Sequence, residues 1–147
     1  MDVASELTLR DMRESDKNYV LSSWVRSYSA HGLHGYVDHR DLCADYAPIA
    51  EALVARSVVR IACLRAEPDV IVGWHAREGL TPDAPLTVVH YLAVKPRWRR
   101  LGVASWMTRE LLEMGLDYTH RTDLAVKFGI PPNWAFRPYL IWPRSKS

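Results

Sequence analysis

The chain has 147 residues, 48% hydrophobic and 24% charged, a balance that suits one globular domain with a real core and excludes a disordered or low-complexity protein. No apolar run approaches the roughly 18 residues of a membrane span, and the opening MDVASELTLRDMRESD lacks the apolar region of a signal peptide, so a single cytoplasmic domain over residues 1–147 is expected. The net charge of +2 does not demand a nucleic-acid partner.

Glu6 to Arg10 alternates as a short strand, and Ser15 or Asp16 stands where a helix cap is needed. The helix then runs to about Tyr28, with Val20, Leu21, Trp24, Val25 and Tyr28 on or near one face. Trp24 and Tyr28 either pack in the core or line a ligand cleft. The loop from His31 to Asp41 carries His31, His34, Asp38 and His39. Their spacing matches no closed zinc signature and no cysteine joins them, so no metal is expected and the loop, with Tyr36, reads as substrate-side. Cys43 and Cys63 form no CxxC pair and read as two small buried thiols.

A second helix is expected over Arg40 to Arg56, where Leu42, Tyr46, Ile49, Ala50 and Leu53 fall at helical spacing. Pro48 lies inside it, in position to kink or divide it. The β-branched stretches 57–64 and 70–76, joined by a turn at RAEPD, read as a hairpin. Residues 86–94, LTVVHYLAV, are apolar on both faces, as near the middle of a sheet.

Lys95, Arg97, Arg99 and Arg100 follow within six residues, then Gly102 and a helix with Val103, Met107, Leu111 and Met114 on one stripe, ending at Gly115. A strand feeding a helix through a basic, glycine-bearing turn can bind phosphate, because the first helical N–H groups lack partners and sit at the positive end of the dipole. HRTDLAVKF (120–128) reads as the next strand, closing a right-handed βαβ unit from Leu86 to Phe128. The tail holds four prolines and two tryptophans, with Tyr139 to Trp142 as a short edge strand.

The element order, and Arg99-Arg100-Leu101-Gly102-Val103-Ala104 within it, resembles the GCN5-related N-acetyltransferase (GNAT) superfamily and its Q/R-x-x-G-x-G/A signature. Leu92-Ala93-Val94, Pro96 and Trp98 look like the strand end and loop before that signature. Three fixed positions in six are weak alone; the strand before, the helix after and the arginines between supply the confirming context. The resemblance implies an α/β (α+β) fold with a mixed, mostly antiparallel central sheet flanked by helices, a splayed pair of parallel strands and a shortened C-terminal part. It implies acetyl-CoA as co-substrate: backbone amides from Arg100 to Ala104 hold the pyrophosphate, Arg97, Arg99 and Arg100 add charge, and Leu92 to Val94 pair with the pantetheine. The strand from Leu86 and the one from His120 are then expected to diverge after Val94.

Acetyl transfer to an amine by direct attack in a ternary complex needs a base for the amine and an acid for the departing thiolate. His90-Tyr91-Leu92-Ala93-Val94 resembles the His-Ala-Leu-Ala-Val run of aralkylamine N-acetyltransferases, which makes His90 the base candidate. Alternation puts Val88, His90, Leu92 and Val94 on one face; a hydrogen-bonded core histidine is the other reading of His90. His75 could share a water chain with it, and Glu78 is a further candidate. The family's N-x-x-A-x-x-x-Y pattern is met only by Asn133, Ala135 and Tyr139, with Ala135 one residue early, so Tyr139 is the first choice of acid and Tyr118 the second. The short tail suggests an acceptor side that is either abbreviated or completed by a second copy of the chain, and its P-Y-L-x-W ending looks similar to GNAT-like proteins of bacteriophages. The acceptor is a small-molecule or protein amine; base modification of DNA, or a non-catalytic GNAT scaffold, are the alternatives.

Overall fold

The computed structural model describes residues 2–31, 38–79, 87–112 and 115–142. Asp2 caps the short helix α1 (Val3–Glu6), which passes directly into strand β1 (Leu7–Asp11). A 3-10 turn over Glu14–Asp16 then leads into α2 (Lys17–His31). Asp16 fixes this entry: its carboxylate accepts from the Arg13 N–H at 2.7 Å and pairs with Arg10 at 2.6 Å. Both bonds hold its carboxyl below the usual range, the Arg10 bond most.

Helix α3 (His39–Arg56) is capped by Asp38, whose side chain accepts from the N–H groups of Arg40 and Asp41. Pro48 removes one donor, yet the helix runs through it undivided. Strands β2 (Val58–Leu64), β3 (Ile71–Glu78) and β4 (Val88–Val94) continue the antiparallel run. After a 3-10 turn at Pro96–Trp98 come α4 (Val103–Met107), β5 (Leu116–Tyr118), α5 (Asp123–Phe128) and β6 (Trp134–Phe136).

The six strands lie in sequence order in one sheet, antiparallel from β1 to β4 and parallel from β4 to β6. Helices α2 and α3 cover one face, burying Trp24, Leu53, Ile61, Trp74 and Tyr91. The Trp24 ring stands 5.2 Å from Tyr91 and 5.4 Å from Trp74. On other apolar surfaces Val103 of α4 packs on Leu7 and Val72, while Val89 packs with Leu111, Leu116 and Tyr118. This is the mixed α/β architecture expected, with two helices on the long antiparallel part and a parallel extension at the other edge.

The C-terminal third departs from the expected elements. Residues 120–128 are not a strand. The parallel partner of β4 is the three-residue β5, and α5 follows it, with Thr122 accepting from the Ala125 N–H at 3.2 Å and Gly129 ending the helix. The alternation of Leu124, Val126 and Phe128 imitates a strand, but a capping threonine and a terminating glycine decide for helix. The helix expected to Met114 is regular only through Met107 and continues as turns through Leu112. Tyr139 to Trp142 is not an edge strand: Pro138 starts a 3-10 turn over Pro138–Ile141. The edge strand is β6 instead, tied to β5 by the Arg137–Asp117 ion pair at 2.9 Å.

Candidate active site

Strand β4 pairs with β3 along its whole length, but with β5 only at Val88↔Asp117 and Val89↔Tyr118. The last backbone rung of that parallel pair is the Thr119 N–H donating to the Val89 carbonyl at 3.2 Å. β5 ends at Tyr118, the chain turns away toward α5, and among the described residues no strand lies beside Tyr91 to Val94 on that side. The fork therefore opens directly after Val89, earlier than the expected divergence after Val94 and between β4 and β5 rather than a strand from His120. It forms a cleft of about 210 Å³. Leu92, Ala93 and Val94 line it from β4, Ala104, Ser105 and Thr108 from α4 and its end, and Tyr118 and His120 from beyond the fork.

His90 sits at the crotch of the fork, on a β-bulge. Ala76 of β3 pairs with Tyr91 and Arg77 with Val89, so His90 is the extra residue with no partner on β3. A bulge re-aims side chains and breaks alternation. Tyr91 and Ala93 join the core under α2 and α3, and Val94 packs with Val103 and Leu7. His90, Leu92 and Val94 all border the cleft.

The side chain of His90 is fully buried, and both ring nitrogens are engaged. Nε2 lies 2.8 Å from Oε2 of Glu78, and Nδ1 lies 3.0 Å from Oγ1 of Thr119. Thr119 Oγ1 in turn lies 2.7 Å from Nδ1 of His120, and His120 Nε2 bonds the Tyr46 hydroxyl. At the other end Arg56 donates to Oε1 of Glu78 at 3.0 Å and to the carbonyls of Leu140 and Ile141. Burial pushes His90 below its ordinary value, although the bond to Glu78 and its charge pull the other way. His120, buried among Trp24, Tyr28, Tyr46 and Tyr91, is pushed down to about 3, first by burial and then by the charge of His90. Both imidazoles are neutral at pH 7. Burial raises the Tyr46 phenol, keeping it protonated.

The basic loop stands at the mouth of the cleft. Arg99 lines it and donates from Nε to the Val94 carbonyl at 3.0 Å, closing the loop onto the strand end. Arg100 has φ +65° and Gly102 φ +80°, so two left-handed residues shape the turn that enters α4. A Cβ built on Gly102 would meet nothing within 4 Å. Arg97, Arg100 and Leu101 are exposed, and Val103 is buried beneath the sheet. Of the ten positions expected to meet the cofactor, Leu92, Ala93, Val94, Arg99 and Ala104 line the cleft and Gly102 borders its rim loop.

The remaining candidates scatter. Trp24 is wholly buried in the core; Tyr28 is half-buried against Tyr46, with ring centroids 4.7 Å apart. His75 is buried with neither ring nitrogen bonded among the described residues, and burial, with Arg77 and Arg60 nearby, pushes it down to about 4. Tyr139 is 60% exposed, accepts a bond from Arg137 and does not line the cleft; Tyr118 does. Tyr36 and His34 lie outside the described residues. Among the described residues no three His, Cys, Asp or Glu side chains group as a metal site. Cys63 is buried and Cys43 half-buried.

Sequence reasoning did not single out Thr119, His120 or Tyr46 as site residues. Thr119 and His120 directly follow the short strand β5, which is a usable signal. The meeting of His120 with Tyr46 on α3 depends on tertiary packing and leaves none.

Comparison of the sequence with family models finds no match, and comparison with curated proteins finds none either. Solved structures do match the fold. YjaB from Escherichia coli superposes with a TM-score of 0.50 at 17% identity, over 72% of this chain and 64% of that one. A GNAT-family acetyltransferase from Staphylococcus aureus Mu50 gives 0.50 at 14% identity, over 72% and 63%. A histone acetyltransferase HPA2 and related acetyltransferase from Corynebacterium glutamicum gives 0.51 at 14%, over 71% and 69%. The match spans less than two thirds of the E. coli and S. aureus chains. In fold, then, this chain is similar to solved acetyltransferases, one of them of the GNAT family: it has the GNAT fold.

Proposed function

We propose that the chain is an acyl-CoA-dependent N-acyltransferase that moves an acetyl group from acetyl-CoA to an amine in a ternary complex. The observation that carries this reading is the fork: β4 loses its parallel neighbour after Val89, leaving the edge at Leu92 to Val94 open on a cleft headed by a basic turn. Fold alone does not assign activity; the site makes the case.

The residues fit the cofactor. A pantetheine arm is an extended chain with amide groups, which a strand edge lacking a neighbour can pair. A pyrophosphate needs N–H donors and positive charge without bulk, and the Arg100–Ala104 turn offers both, with open space over Gly102. Arg99 holds the turn to the strand end, and Arg97 and Arg100 add exposed charge. When bound, acetyl-CoA supplies an activated thioester.

His90 serves the base side, acting through its bonded neighbours because neither ring nitrogen is free. Tyr118, which lines the cleft, is a better source of a proton for the thiolate than the exposed Tyr139. The acceptor is a small-molecule or protein amine, and a second copy of the chain completing the acceptor side is part of the same reading. The test is thiol release from acetyl-CoA against a panel of small amines and a lysine peptide. Amine-dependent release that is lost in Gly102→Val is expected. A folded protein that releases no thiol with any amine would favour a non-catalytic scaffold.

A further inference from the structure

A second hollow, a groove of about 270 Å³, lies between α2 and the ends of β3 and β4. Tyr19, Ser23 and Arg26 border it from α2, Trp74 from β3, and Lys95 and Arg99 from the start of the basic loop. It lies on the paired side of β4, where Trp74 faces Ala93 across the ladder, and not at the open edge. The groove and the cleft meet along Ala93 and Val94, and Ser27 and Arg99 line both.

The unspent hydrogen-bonding capacity of this groove is donor capacity. Arg26 donates from Nε to the Ser22 carbonyl of its own helix, and Arg99 from Nε to the Val94 carbonyl, so each guanidinium keeps its outer N–H groups. Lys95 Nζ stands 5.0 Å from the centre of the Tyr19 ring, an attraction that holds the ammonium without neutralising it. The Ser27 hydroxyl accepts from the Tyr91 hydroxyl at 2.9 Å, and among the described residues nothing takes its own hydrogen. Ser23 is already satisfied, accepting from Trp74 Nε1 and donating to the Val20 carbonyl.

No Asp or Glu lines the groove, and among the described residues no carboxylate pairs with Arg26, Lys95 or Arg99. Cations elsewhere on the sheet are matched: Arg10 with Asp16, Arg60 with Asp11, Arg56 with Glu78 and Arg137 with Asp117. Like charges around one concavity raise its potential, and an anion seated there relieves it.

We propose that this groove binds the anionic group, carboxylate or phosphate, of a small ligand, with Arg26 and Lys95 as the residues that select for it. On the acyltransferase reading, on which this part rests, the ligand is the acceptor: an amine that carries a negative group at the end away from its nucleophilic nitrogen. The anion sits between α2 and the start of the loop, and the amine end extends past Ser27 toward the cleft. Arg97 and Arg100, the exposed cations assigned to the cofactor, do not line the groove. A neutral amine leaves the groove's cations uncompensated, so the selection is by charge.

Two matched pairs of probes separate charge from size: β-alanine against β-alaninamide, and phosphoethanolamine against ethanolamine. Proton–nitrogen NMR of the arginine Nε–H groups, without acetyl-CoA, reads binding at the groove. The Arg26 and Arg99 signals should shift with the charged member of at least one pair and stay still with its neutral twin; the pair that responds tells carboxylate from phosphate. In acetyl transfer the charged member should have the lower KM. Arg26→Gln and Lys95→Gln should each raise that KM roughly tenfold, the worth of a hydrogen bond to a charged group. Both should narrow the gap between the twins, with kcat and acetyl-CoA affinity little moved, and Arg26→Lys should recover most of the loss. Neither side chain bonds another element among the described residues, so these variants keep the fold. Neutral amines bound and acetylated as well as their charged twins, or variants that weaken acetyl-CoA as much as the charged amine, would overturn the anion site and leave acyl transfer standing. Charged amines that shift Arg26 and are never acetylated would uphold the anion site and overturn the transferase reading.

Discussion

Nε2 of His90 stands 2.8 Å from Oε2 of Glu78, and the bond exists because β4 carries one residue more than β3 at this point. His90 has no partner on β3, and with Leu92 it borders the cleft. The irregularity lies where the parallel ladder ends, so one departure from regular pairing serves both the opening of the cleft and the aim of the histidine.

His90→Ala removes the ring that links Thr119 to Glu78. Loss of positioned acid–base assistance typically costs about 10²- to 10⁴-fold. Acetyl transfer, followed as thiol release with an amine acceptor, should fall within that range and lose most of its pH dependence, while acetyl-CoA affinity changes little. An unchanged pH profile would take His90 out of the mechanism.

Gly102 has φ +80°, a conformation that costs an L-residue about 1–2 kcal/mol, with Asn the best tolerated. No atom crowds a Cβ at this position, so strain and not collision governs stability. Gly102→Val should lower unfolding free energy by roughly that amount, and Gly102→Asn by less. Coenzyme A affinity should drop at least about tenfold, worth ~1.4 kcal/mol, in the valine variant. Urea unfolding and calorimetry together measure both.

Gly73 illustrates the opposite case. A Cβ there would lie 2.7 Å from the Ala93 carbonyl oxygen, a backbone atom that cannot swing away. Gly73→Ala must push β3 from the β4 edge that borders the cleft. A loss of about 1–3 kcal/mol is expected from such overpacking, read from the urea midpoint. A neutral result would mean that the strands part at no cost.

His75 predicts the acid limb of stability. Its ordinary value is 6.5 and burial brings it to about 4 in the folded chain. Above 6.5 neither state is protonated and this residue gives no pH dependence. Below 6.5 the unfolded chain takes the proton first, so stability falls by up to roughly 1.4 kcal/mol per pH unit until the folded imidazole protonates near 4. His120, pushed down to about 3, acts in the same direction. His75→Leu removes two buried nitrogens with no bonded partner among the described residues. It should be neutral or stabilising at pH 7 and should make the decline between pH 6.5 and 4 shallower, measured by thermal melts across that window.

The first two thirds of the fold was legible because its signals are local. Asp38 caps α3, Asp16 anchors the entry to α2, and the β-branched run at Val58 to Leu64 reads as a strand by itself. The C-terminal third was misread where two periods coincide: Leu124, Val126 and Phe128 alternate, while the deciding groups are Thr122 and Gly129 at the ends. β6 is three residues that gain their conformation from β5 and the Arg137–Asp117 pair, so nothing in Trp134–Phe136 alone announces it. Among the site residues, Leu92 to Val94, Arg99 and Ala104 could be named from sequence because they follow one another in the chain. The bulge at His90 and the bond between Tyr46 and His120 are products of tertiary packing and could not.

Acyl transfer at this fork requires that it take up acetyl-CoA. Calorimetric titration of the folded protein with acetyl-CoA tests this most directly. One molecule per chain with micromolar affinity, weakened in Gly102→Val, is the result the fork and its basic turn predict. No binding to a sample with intact cooperative unfolding would contradict it.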